Sequence, residues 1–501
     1  MCINIKMKRR LSGLASAVCL LTMLMVPSKA GAQQTYYDFA DVDRDGKVGI
    51  ADLVTVIDCI LEGGHAGVVN PNTGYLSARE YGAVGDGVTD DTEALERLFE
   101  DAYELKKAAF FEPGTYLIRR SLTLRTGMEI YGDDATITKQ KAVTTSLTLE
   151  AIKGQQFVDV QNASRFTAGD QICITYPSQA NQCTYGIVDS IAENRIYFTN
   201  IISDEQPGFP GCVRSYATGT KVSTSFALLR SWSPRFDCDG VYIHDLTLDG
   251  NRASSEPKSW ANSCIHLDAY NPGGFTNSAT GVPYNHPQRN MVLRNLVVCN
   301  SSHDAISDQG EGGLIVTDCV ISNNAMHGVH LGTKFYNALI SNNKMTGIGS
   351  IGAGVFFCQS VTDVIVENNE ITSFNHGCSD EEFANCGKYV IIRNNRFNNM
   401  TGYVFDFMMA TSSNRGGNLQ IYDNSIEGLK AVLFSGNYLD NLLFSNNEVE
   451  SVTKVPSKLI NVVQSKNVII TGNTLPADVT LDVPVVSTNT SNLIDVSNSW
   501  N

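Results

Sequence analysis

Histidines are unevenly distributed along this chain, and their surroundings favour acid–base chemistry. Of the eight histidines in 501 residues, five lie in one short stretch: His266, His286, His303, His327 and His330. Asp304 lies among them. Imidazole gains or loses its charge between about pH 5 and 8, so such a group with a carboxylate can hold or transfer a proton near neutral pH. We therefore predict that His330, His327 and Asp304 are catalytic, provided that the fold brings them together.

A repeated pattern beyond residue 290 predicts how these residues are positioned. Short runs of β-branched and apolar residues end at Asn324, Asn343, Asn369, Asn395, Asn424, Asn447 and Asn473, in steps of 19 to 29 residues. This period is typical of a solenoid, in which each coil stacks on the next. Asparagine suits the left-handed backbone of a coil corner. The sequence therefore predicts an all-β fold, a right-handed parallel β-helix with its main part over residues 226–501.

Alignment of the coils places several polar side chains on one face. Ile265, Ile306, Val329 and Val355 occupy equivalent positions and are expected to point inward. Because side chains alternate along a strand, the outward face is predicted to carry His266, Asp268, Ser307, Gln309, His330 and Phe356. His266 and His330 are two coils apart, or about 10 Å at about 4.8 Å per coil. A sugar ring fits this span, so His266, Gln309, Lys334 and Phe356 are predicted to bind substrate.

The segment Tyr81-Gly82-Ala83-Val84-Gly85-Asp86-Gly87-Val88-Thr89-Asp90-Asp91-Thr92, followed by Phe111-Glu112-Pro113-Gly114-Thr115-Tyr116, resembles the opening of pectate-lyase-superfamily β-helices. The resemblance covers roughly residues 75–140 by motif and 225–480 by repeat pattern. It implies that residues 73–145 form the first coils with a capping helix over Glu93–Lys106, and that Asp90 and Asp91 are structural. Residues 146–225 break the period and alternate like strands, which predicts a small β insertion.

A polysaccharide lyase acting by β-elimination is the function that this face favours. Such an enzyme needs a group that neutralises a uronate carboxylate, a base and a proton donor. Gln309, His266 or Lys334 could meet the first need, and His330 or His327 the second. The resemblance leaves the substrate open among uronic-acid glycans such as pectin, chondroitin and alginate.

A glycoside hydrolase is the first alternative, because it requires two carboxyl groups that flank the scissile bond. Asp304 with Asp308 or Glu311 could supply them. In polygalacturonase-like members of the superfamily the catalytic aspartates begin this strand on successive coils. Asp304 resembles one of them, but the next coil has His327 at that position, so the lyase is favoured.

A glycan-binding surface protein or adhesin without catalysis is the second alternative. The run Leu246-Thr247-Leu248-Asp249-Gly250-Asn251-Arg252 resembles a common turn of these β-helices. Arg252 and the following Trp260 could line a sugar site through charge and ring stacking. An exposed loop with one packed aromatic residue explains the same pattern equally well.

A calcium loop is predicted near the N-terminus. Residues 41–52 place Asp41, Asp43 and Asp45 at loop positions 1, 3 and 5, Lys47 at the carbonyl position 7 and Asp52 at position 12. Residues 33–66 therefore resemble one repeat of a type I dockerin, which would bind calcium. Dockerins pair two repeats and this chain has one, so a calcium-stabilised appendage is favoured over a cohesin-binding module.

Composition and targeting signals limit the remaining possibilities. The net charge is −15, which argues against nucleic-acid binding. Residues 1–32 combine four early basic residues, an apolar run and Ala30-Gly31-Ala32, the pattern of a secretory signal peptide. No later stretch is long and apolar enough for a membrane span. We therefore expect a monomeric protein that is secreted, periplasmic or on the cell surface, with a polysaccharide as its partner.

Overall fold

The structure is a computed structural model, and it describes residues 74–175, 183–200, 211–231, 238–253, 262–267, 288–309, 312–332, 335–349, 351–358, 361–381, 389–408, 410–413 and 415–500. The predicted signal peptide lies outside the described residues. So do all five predicted calcium ligands, Asp41, Asp43, Asp45, Lys47 and Asp52.

The described chain folds as a parallel β-solenoid of about 13 turns, with three sheets that run along its length. Sheet A comprises Tyr75–Ser77, Ala108–Phe111, Glu129–Gly132, Tyr242–His244, Gln288–Arg294, Gly312–Thr317, Tyr336–Ser341, Thr362–Glu367, Val390–Arg393, Gly416–Tyr422, Leu439–Ser445, Lys466–Thr471 and Ser491–Val496, with Cys238–Asp239 paired at its side. The predicted all-β parallel solenoid is confirmed.

Each coil passes from sheet A to sheet B and then to sheet C. Sheet B comprises Asp86–Asp90, Gly114–Ile118, Ala135–Lys139, Thr247–Asp249, Val297–Cys299, Val320–Ser322, Lys344–Thr346, Glu370–Thr372, Arg396–Asn398, Ser425–Glu427 and Glu448–Val449. Sheet C comprises Leu122–Leu124, Leu229–Ser231, Ile265–Leu267, Ile306–Asp308, Val329–Leu331, Ala353–Phe357, His376–Asp380, Phe405–Phe407, Phe434–Asn437, Ile460–Val463 and Val485–Thr488.

The core lies inside the coils and consists of stacked apolar rows. One row of sheet A, in unbroken register and fully buried, is Val316, Ile340, Val366, Ile392, Ile421, Phe444 and Ile470. Equivalent apolar side chains therefore lie directly above one another in successive coils of parallel strands. Because the same coils supply all three sheets, the register of this row also fixes that of the other two sheets.

The asparagine pairs divide two tasks between their members. The first member has a left-handed backbone that turns the chain, as Asn342, Asn368 and Asn394 do with φ of 56°, 56° and 53°. The second member is buried and joins consecutive coils. The backbone N–H of Asn343 donates to Asn369 Oδ1 at 2.9 Å, and the backbone N–H of Asn369 donates to Asn395 Oδ1 at 3.0 Å. Asparagine meets both demands because it tolerates positive φ and both donates and accepts.

One helix, α1 (Thr92–Leu105), lies among the described residues and buries Leu95, Leu98 and Phe99 in the solenoid core. The buried Asp91 carboxylate accepts the backbone N–H of Val84 at 2.6 Å, and so holds the loop before the helix. No helix of the described part of the chain is long and apolar enough to cross a membrane.

A separate antiparallel sheet interrupts the early coils. Its strands are Thr144–Ser146, Phe157–Asp159, Gln171–Ile174, Thr184–Ala192, Arg195–Asn200 and Lys221–Ser223. It has its own apolar core around Val158, Ile196 and Phe198. The buried Asp170 carboxylate ties it to the solenoid, because it accepts hydrogen bonds from Arg119 at 2.9 Å and Gln140 at 3.0 Å.

Candidate active site

One row of outward-pointing side chains follows the middle of sheet C from coil to coil. Its members, in register, are Arg230, His266, Ser307, His330, Phe356, Ser379 and Asp406. We call these seven residues the sheet C row. The predicted placement of His266, Ser307, His330 and Phe356 on one face agrees with this register.

The predicted exposure of this face is wrong. His266 and Ser307 are 0% exposed and His330 is 8% exposed. At one end of the row the inserted sheet provides cover, since the Arg230 guanidinium lies 5.5 Å from the Tyr185 ring centroid and Arg230 is 2% exposed. Periodicity predicts which side of a strand a residue takes, but not what packs over that side. The row is therefore enclosed from Arg230 to His330, whereas Phe356 and Asp406 are partly exposed.

Asp304 is the centre of the histidine cluster. It is 0% exposed, and its Oδ2 accepts a hydrogen bond from His330 Nδ1 at 2.9 Å. His303 Nδ1 lies 3.1 Å from the same oxygen. Oδ1 accepts the backbone N–H of His327 at 3.1 Å. The turn between sheets B and C thus supplies a carboxylate that fixes the orientation of His330 on the next coil.

The two histidines beside Asp304 differ in charge. Burial alone would lower the pKa of His330, but the negative charge and hydrogen bond of Asp304 outweigh it and raise that pKa to about 10. Asp304 in turn has a pKa well below its ordinary value, because its histidine neighbours more than offset the effect of burial. Burial lowers the pKa of His327 to about 3. At neutral pH the site therefore holds an imidazolium–carboxylate pair beside a neutral imidazole.

His327 is fixed by packing and by the backbone. Its ring stacks on Phe356 with centroids 4.0 Å apart at 19°, and it meets the His330 ring edge-on at 5.5 Å. The backbone N–H of Ala353 donates to His327 Nδ1 at 3.0 Å. Since Nδ1 accepts, the proton of the neutral ring is on Nε2. His327 can therefore donate a hydrogen bond from Nε2 but cannot accept a proton there.

Gln309 completes the surroundings of His330. Its Nε2 lies 3.4 Å from His330 Nε2 and 3.4 Å from Ser307 Oγ. A Cβ at Gly332, on the next coil, would stand 2.4 Å from Gln309 Oε1, so the glycine provides the space for this side chain.

Two residues that the sequence alignment missed extend the cluster on the next coils. Cys358 hydrogen-bonds His330, and its Sγ donates to Glu381 Oε2 at 3.4 Å. Glu381 is exposed. Both residues stand two positions beyond members of the sheet C row, Phe356 and Ser379, so the alternation that selected Gln309 selects them as well. Extension of the alignment by one coil would have found this exposed carboxylate.

Several predicted site residues lie elsewhere. Asp308 is 2% exposed and takes the inward position between Leu267 and Leu331, which does not favour its predicted role as the second carboxylate of a hydrolase. Arg252 Nη2 donates to Asn323 Oδ1 at 3.3 Å, at the end of sheet B. Lys334, Trp260, Asp268 and Glu311 are outside the described residues. No group of three or more potential metal ligands occurs within the described ranges.

Comparison with known protein families shows two matching segments. Residues 75–224 match the family model described as "Rhamnogalacturonase A/epimerase, pectate lyase-like". Residues 280–475 match the model described as "Right handed beta helix region". This chain carries a pectate lyase-like segment followed by a right-handed β-helix region. The predicted resemblance to pectate lyase-like β-helices is confirmed at this level, and the dockerin likeness stays a prediction.

Two curated proteins are similar to this chain over a short segment only. A glucan 1,3-beta-glucosidase of Cochliobolus carbonum is 39% identical over 59 residues, which are 12% of this chain and 8% of that protein. The non-secreted LysM effector LysM19 of Penicillium expansum is 40% identical over 57 residues, 11% of this chain and 4% of that protein. The chain thus spans less than a tenth of the length of these curated relatives.

Three of the solved structures that are similar to this chain are 12–14% identical to it in sequence. The mannuronan C-5 epimerase AlgE6 A-module of Azotobacter vinelandii has a TM-score of 0.48 at 14% identity, over 84% of this chain and 99% of that one. The surface adhesin PfbA of Streptococcus pneumoniae has 0.47 at 12%, over 85% and 93%. The Family 28 exopolygalacturonase of Yersinia enterocolitica has 0.47 at 13%, over 84% and 78%. None of these similarities assigns a reaction to this chain.

Proposed function

We propose that this protein is an exported polysaccharide lyase that cleaves a uronic-acid-containing glycan by β-elimination, with its active site at His330 on sheet C. The observation that carries the proposal is the enclosed His330–Asp304 ion pair. His330 keeps 8% exposure on the outward face of the solenoid, and an imidazolium there is suited to receive a carboxylate. The predicted calcium appendage would belong to the same exported enzyme.

The cation addresses the main barrier of the reaction. The proton at C5 of a uronate is hard to remove because the adjacent carboxylate is already negative, and the carbanion places further charge on it. His330, kept charged by Asp304, neutralises that carboxylate in the carbanion state, where the interaction is strongest. Asp304 is fully buried and acts through His330, so we assign it a positioning role.

Glu381 is the base in this proposal. It is an exposed carboxylate connected to His330 through Cys358, and we assign to it the C5 proton of a sugar whose carboxylate meets His330. Glu381 takes the C5 proton, the C–H electrons form the C4–C5 double bond, and the C4–O4 bond breaks. The departing O4 then takes a proton from water. The structure thus favours His330 as the cation rather than the base expected from the sequence.

The hydrolase and adhesin alternatives receive less support from the site. A hydrolase based on Asp304 and Asp308 would need both carboxylates beside the substrate, yet Asp304 is enclosed in an ion pair and Asp308 points into the solenoid. A passive binding surface has no requirement for a buried charge pair, whose desolvation costs free energy.

Incubation with pectate, chondroitin and alginate tests the proposal. We expect at least one of them to yield products that absorb through the new C4–C5 double bond, with the Glu381→Gln variant at least 100-fold slower. Reducing ends without this absorbance would show hydrolysis and overturn the proposal. Binding without products would support the adhesin instead.

A further inference from the structure

The outward face of sheet A carries a continuous row of apolar side chains. In nine consecutive strands, the register aligns the outward residues Val292, Ile315, Leu339, Ile365, Ile391, Gln420, Leu443, Ile469 and Ile494. We call these nine residues the sheet A stripe. Eight of them are aliphatic, and Gln420 is the exception. Most are half-buried, and at one end Ile469 is 38% and Ile494 is 48% exposed.

Sheet B provides a comparison within the same coils. Its corresponding outward row is Val297, Val320, Lys344, Glu370, Arg396, Ser425 and Glu448, of which four carry a charge. Single exposed apolar side chains are normal on protein surfaces, whereas a contiguous apolar patch marks an interaction surface. The sheet A stripe is therefore a candidate interaction surface, in contrast to the outward row of sheet B.

The polar groups beside the stripe are already paired within the chain. On one side, Asn441 Nδ2 donates to Asn418 Oδ1 at 3.0 Å, and Asn467 Nδ2 donates to Asn441 Oδ1 at 2.9 Å. On the other side, Arg393 Nη2 lies 2.7 Å from Glu367 Oε2. These amides and charges are satisfied before any partner binds. The stripe therefore favours a partner whose own surface is apolar.

The size of this face matches that of a stable protein–protein interface. Nine strands at a spacing of about 4.8 Å extend over about 38 Å, and three outward positions on each strand cover a width of about 20 Å. The resulting area is about 760 Å² per copy. One partner of a standard interface contributes about 800 Å². Two copies of the chain can therefore form a standard interface through this face alone.

The charges beside the stripe are complementary under two-fold symmetry. Glu367 and Arg393 are in register on consecutive coils near the middle of the stripe. A two-fold axis between these coils, along the strands, places Glu367 opposite the partner's Arg393, and Arg393 opposite the partner's Glu367. The same axis places Ile365 opposite the partner's Ile391. Such reciprocity is what the interface of a symmetric homodimer requires.

We propose that the sheet A stripe is the interface of a homodimer, in which two solenoids pack through their A sheets with antiparallel axes. The side chains of the two sheets interdigitate, as in other face-to-face sheet packings. This inference is independent of the proposed reaction, and it departs from the monomer expected from the sequence. Sheet C is a different face of each coil, so both candidate active sites stay outside the interface.

Sedimentation equilibrium of the purified protein tests the apolar part of the interface. We expect the wild-type protein to have twice the mass of one chain. Ile365→Asp places a carboxylate in the middle of the stripe and is expected to weaken association at least 100-fold. Val320→Asp is the matched control, because it introduces the same charge at a 42% exposed aliphatic position of sheet B, and we expect it to remain dimeric. Melting temperatures verify that the variants are folded.

A second variant tests the two-fold axis without changing the apolar row. Glu367→Lys brings two lysines and two Arg393 side chains together at the axis, so we expect association to weaken at least 10-fold. Glu427→Lys is its control, since Glu427 forms an equivalent surface pair with Arg396 at 2.8 Å on sheet B. If Ile365→Asp does not fold, this pair of variants decides the question.

Three results would overturn the homodimer. The first is a wild-type protein with the mass of one chain; if that monomer also sediments with phosphatidylcholine vesicles, the stripe contacts lipid instead. The second is a dimer that persists in folded Ile365→Asp and Glu367→Lys variants. The third is an equal loss of association in the sheet A variants and in their sheet B controls, which would place the contact elsewhere. A dimer that only the sheet A variants dissociate is the result that the proposal predicts.

Discussion

His327 and His330 are three residues apart in the chain and respond to pH in opposite directions. Asp304 overcomes the effect of burial at His330 and raises the pKa of that histidine from 6.5 to about 10. The charged His330 therefore stabilises the folded protein fully below pH 6.5, and this contribution is lost as the pH rises through about 10. Burial lowers the pKa of His327 from 6.5 to about 3. The unfolded chain then binds a proton before the folded protein does, and stability is lost as the pH falls below 6.5.

Melting temperatures of two variants across the pH range test this opposition. His327→Gln is expected to lose less stability than the wild-type protein between pH 6.5 and 4, because the unfavourable protonation of the unfolded state is gone. His330→Gln is expected to lose less stability than the wild-type protein between pH 7 and 10, because the histidine that loses its proton in this range is gone. Variants whose pH profiles parallel that of the wild-type protein would show that these pKa shifts are absent.

Asp304→Asn tests the positioning role of the buried carboxylate. The change removes one partner of a buried ion pair, so we expect a loss of roughly 3 kcal/mol in the free energy of unfolding. His330 then loses its proton at a lower pH, and the elimination rate at neutral pH should fall at least 100-fold and partly recover on acidification. Asp318→Asn is the control, since Asp318 is 45% exposed in a surface pair 3.5 Å from Arg294. An unchanged pH–rate profile in Asp304→Asn would exclude the positioning role.

At the scale of the elements, the asparagine ladder holds successive coils together. The backbone N–H of Asn424 donates to Asn447 Oδ1, and the side-chain Nδ2 of Asn424 donates to the carbonyl oxygen of Ile392 at 3.0 Å. Asn424→Ala leaves buried partners unsatisfied and is expected to cost about 2 kcal/mol in the free energy of unfolding. Asn398→Ala, at a half-buried strand position, is expected to cost under about 0.5 kcal/mol. Denaturant unfolding with equal losses for both variants would contradict this role of the ladder.

Asp170 is expected to anchor the inserted sheet to the first coils. It accepts hydrogen bonds from Arg119, Gln140 and the backbone N–H of Thr167. In Asp170→Ala these three donors lose their buried acceptor, so limited proteolysis should cut within residues 144–223 faster while the later coils stay intact. Glu100→Ala, in a surface pair with Arg125, serves as the control. Cleavage of both variants at the wild-type rate would show that Asp170 is not needed to hold the inserted sheet on the first coils.

The sequence predicted elements better than their surroundings. Spacing of the asparagines identified the coils, and alternation identified Ser307, His330 and Phe356 as one row, because both depend on local geometry. The predicted exposure of Ser307 and His330 was wrong, since burial depends on segments distant in sequence. Asp308 was misplaced for a simpler reason: its carboxylate was treated as available although the same alternation points it inward.

Viewed over the whole molecule, the net charge of −15 does not describe the site. The sheet C row begins at Arg230, passes the cationic His330 and reaches Asp406, so its charge changes sign along the solenoid axis. The local field at a binding site governs recognition more than the net charge of the whole protein does. An acidic protein can therefore accept an acidic glycan at one end of this row.

The location of the site was more predictable than its chemistry. Proximity of Asp304, His327 and His330 followed from one-coil offsets in the repeat. The charge of His330 depends on how completely Asp304 is buried, and Glu381 enters the site only through Cys358. These are properties of packing, which the order of residue types does not specify.

Two histidine variants test the role of His330 on the uronate polysaccharide that the wild-type enzyme cleaves best. His330→Gln is predicted to reduce the appearance of the C4–C5 double bond at least 100-fold without loss of the fold. His244→Gln alters a histidine on sheet A and is predicted to retain wild-type activity. Near-normal elimination by His330→Gln would show that His330 is not part of the active site.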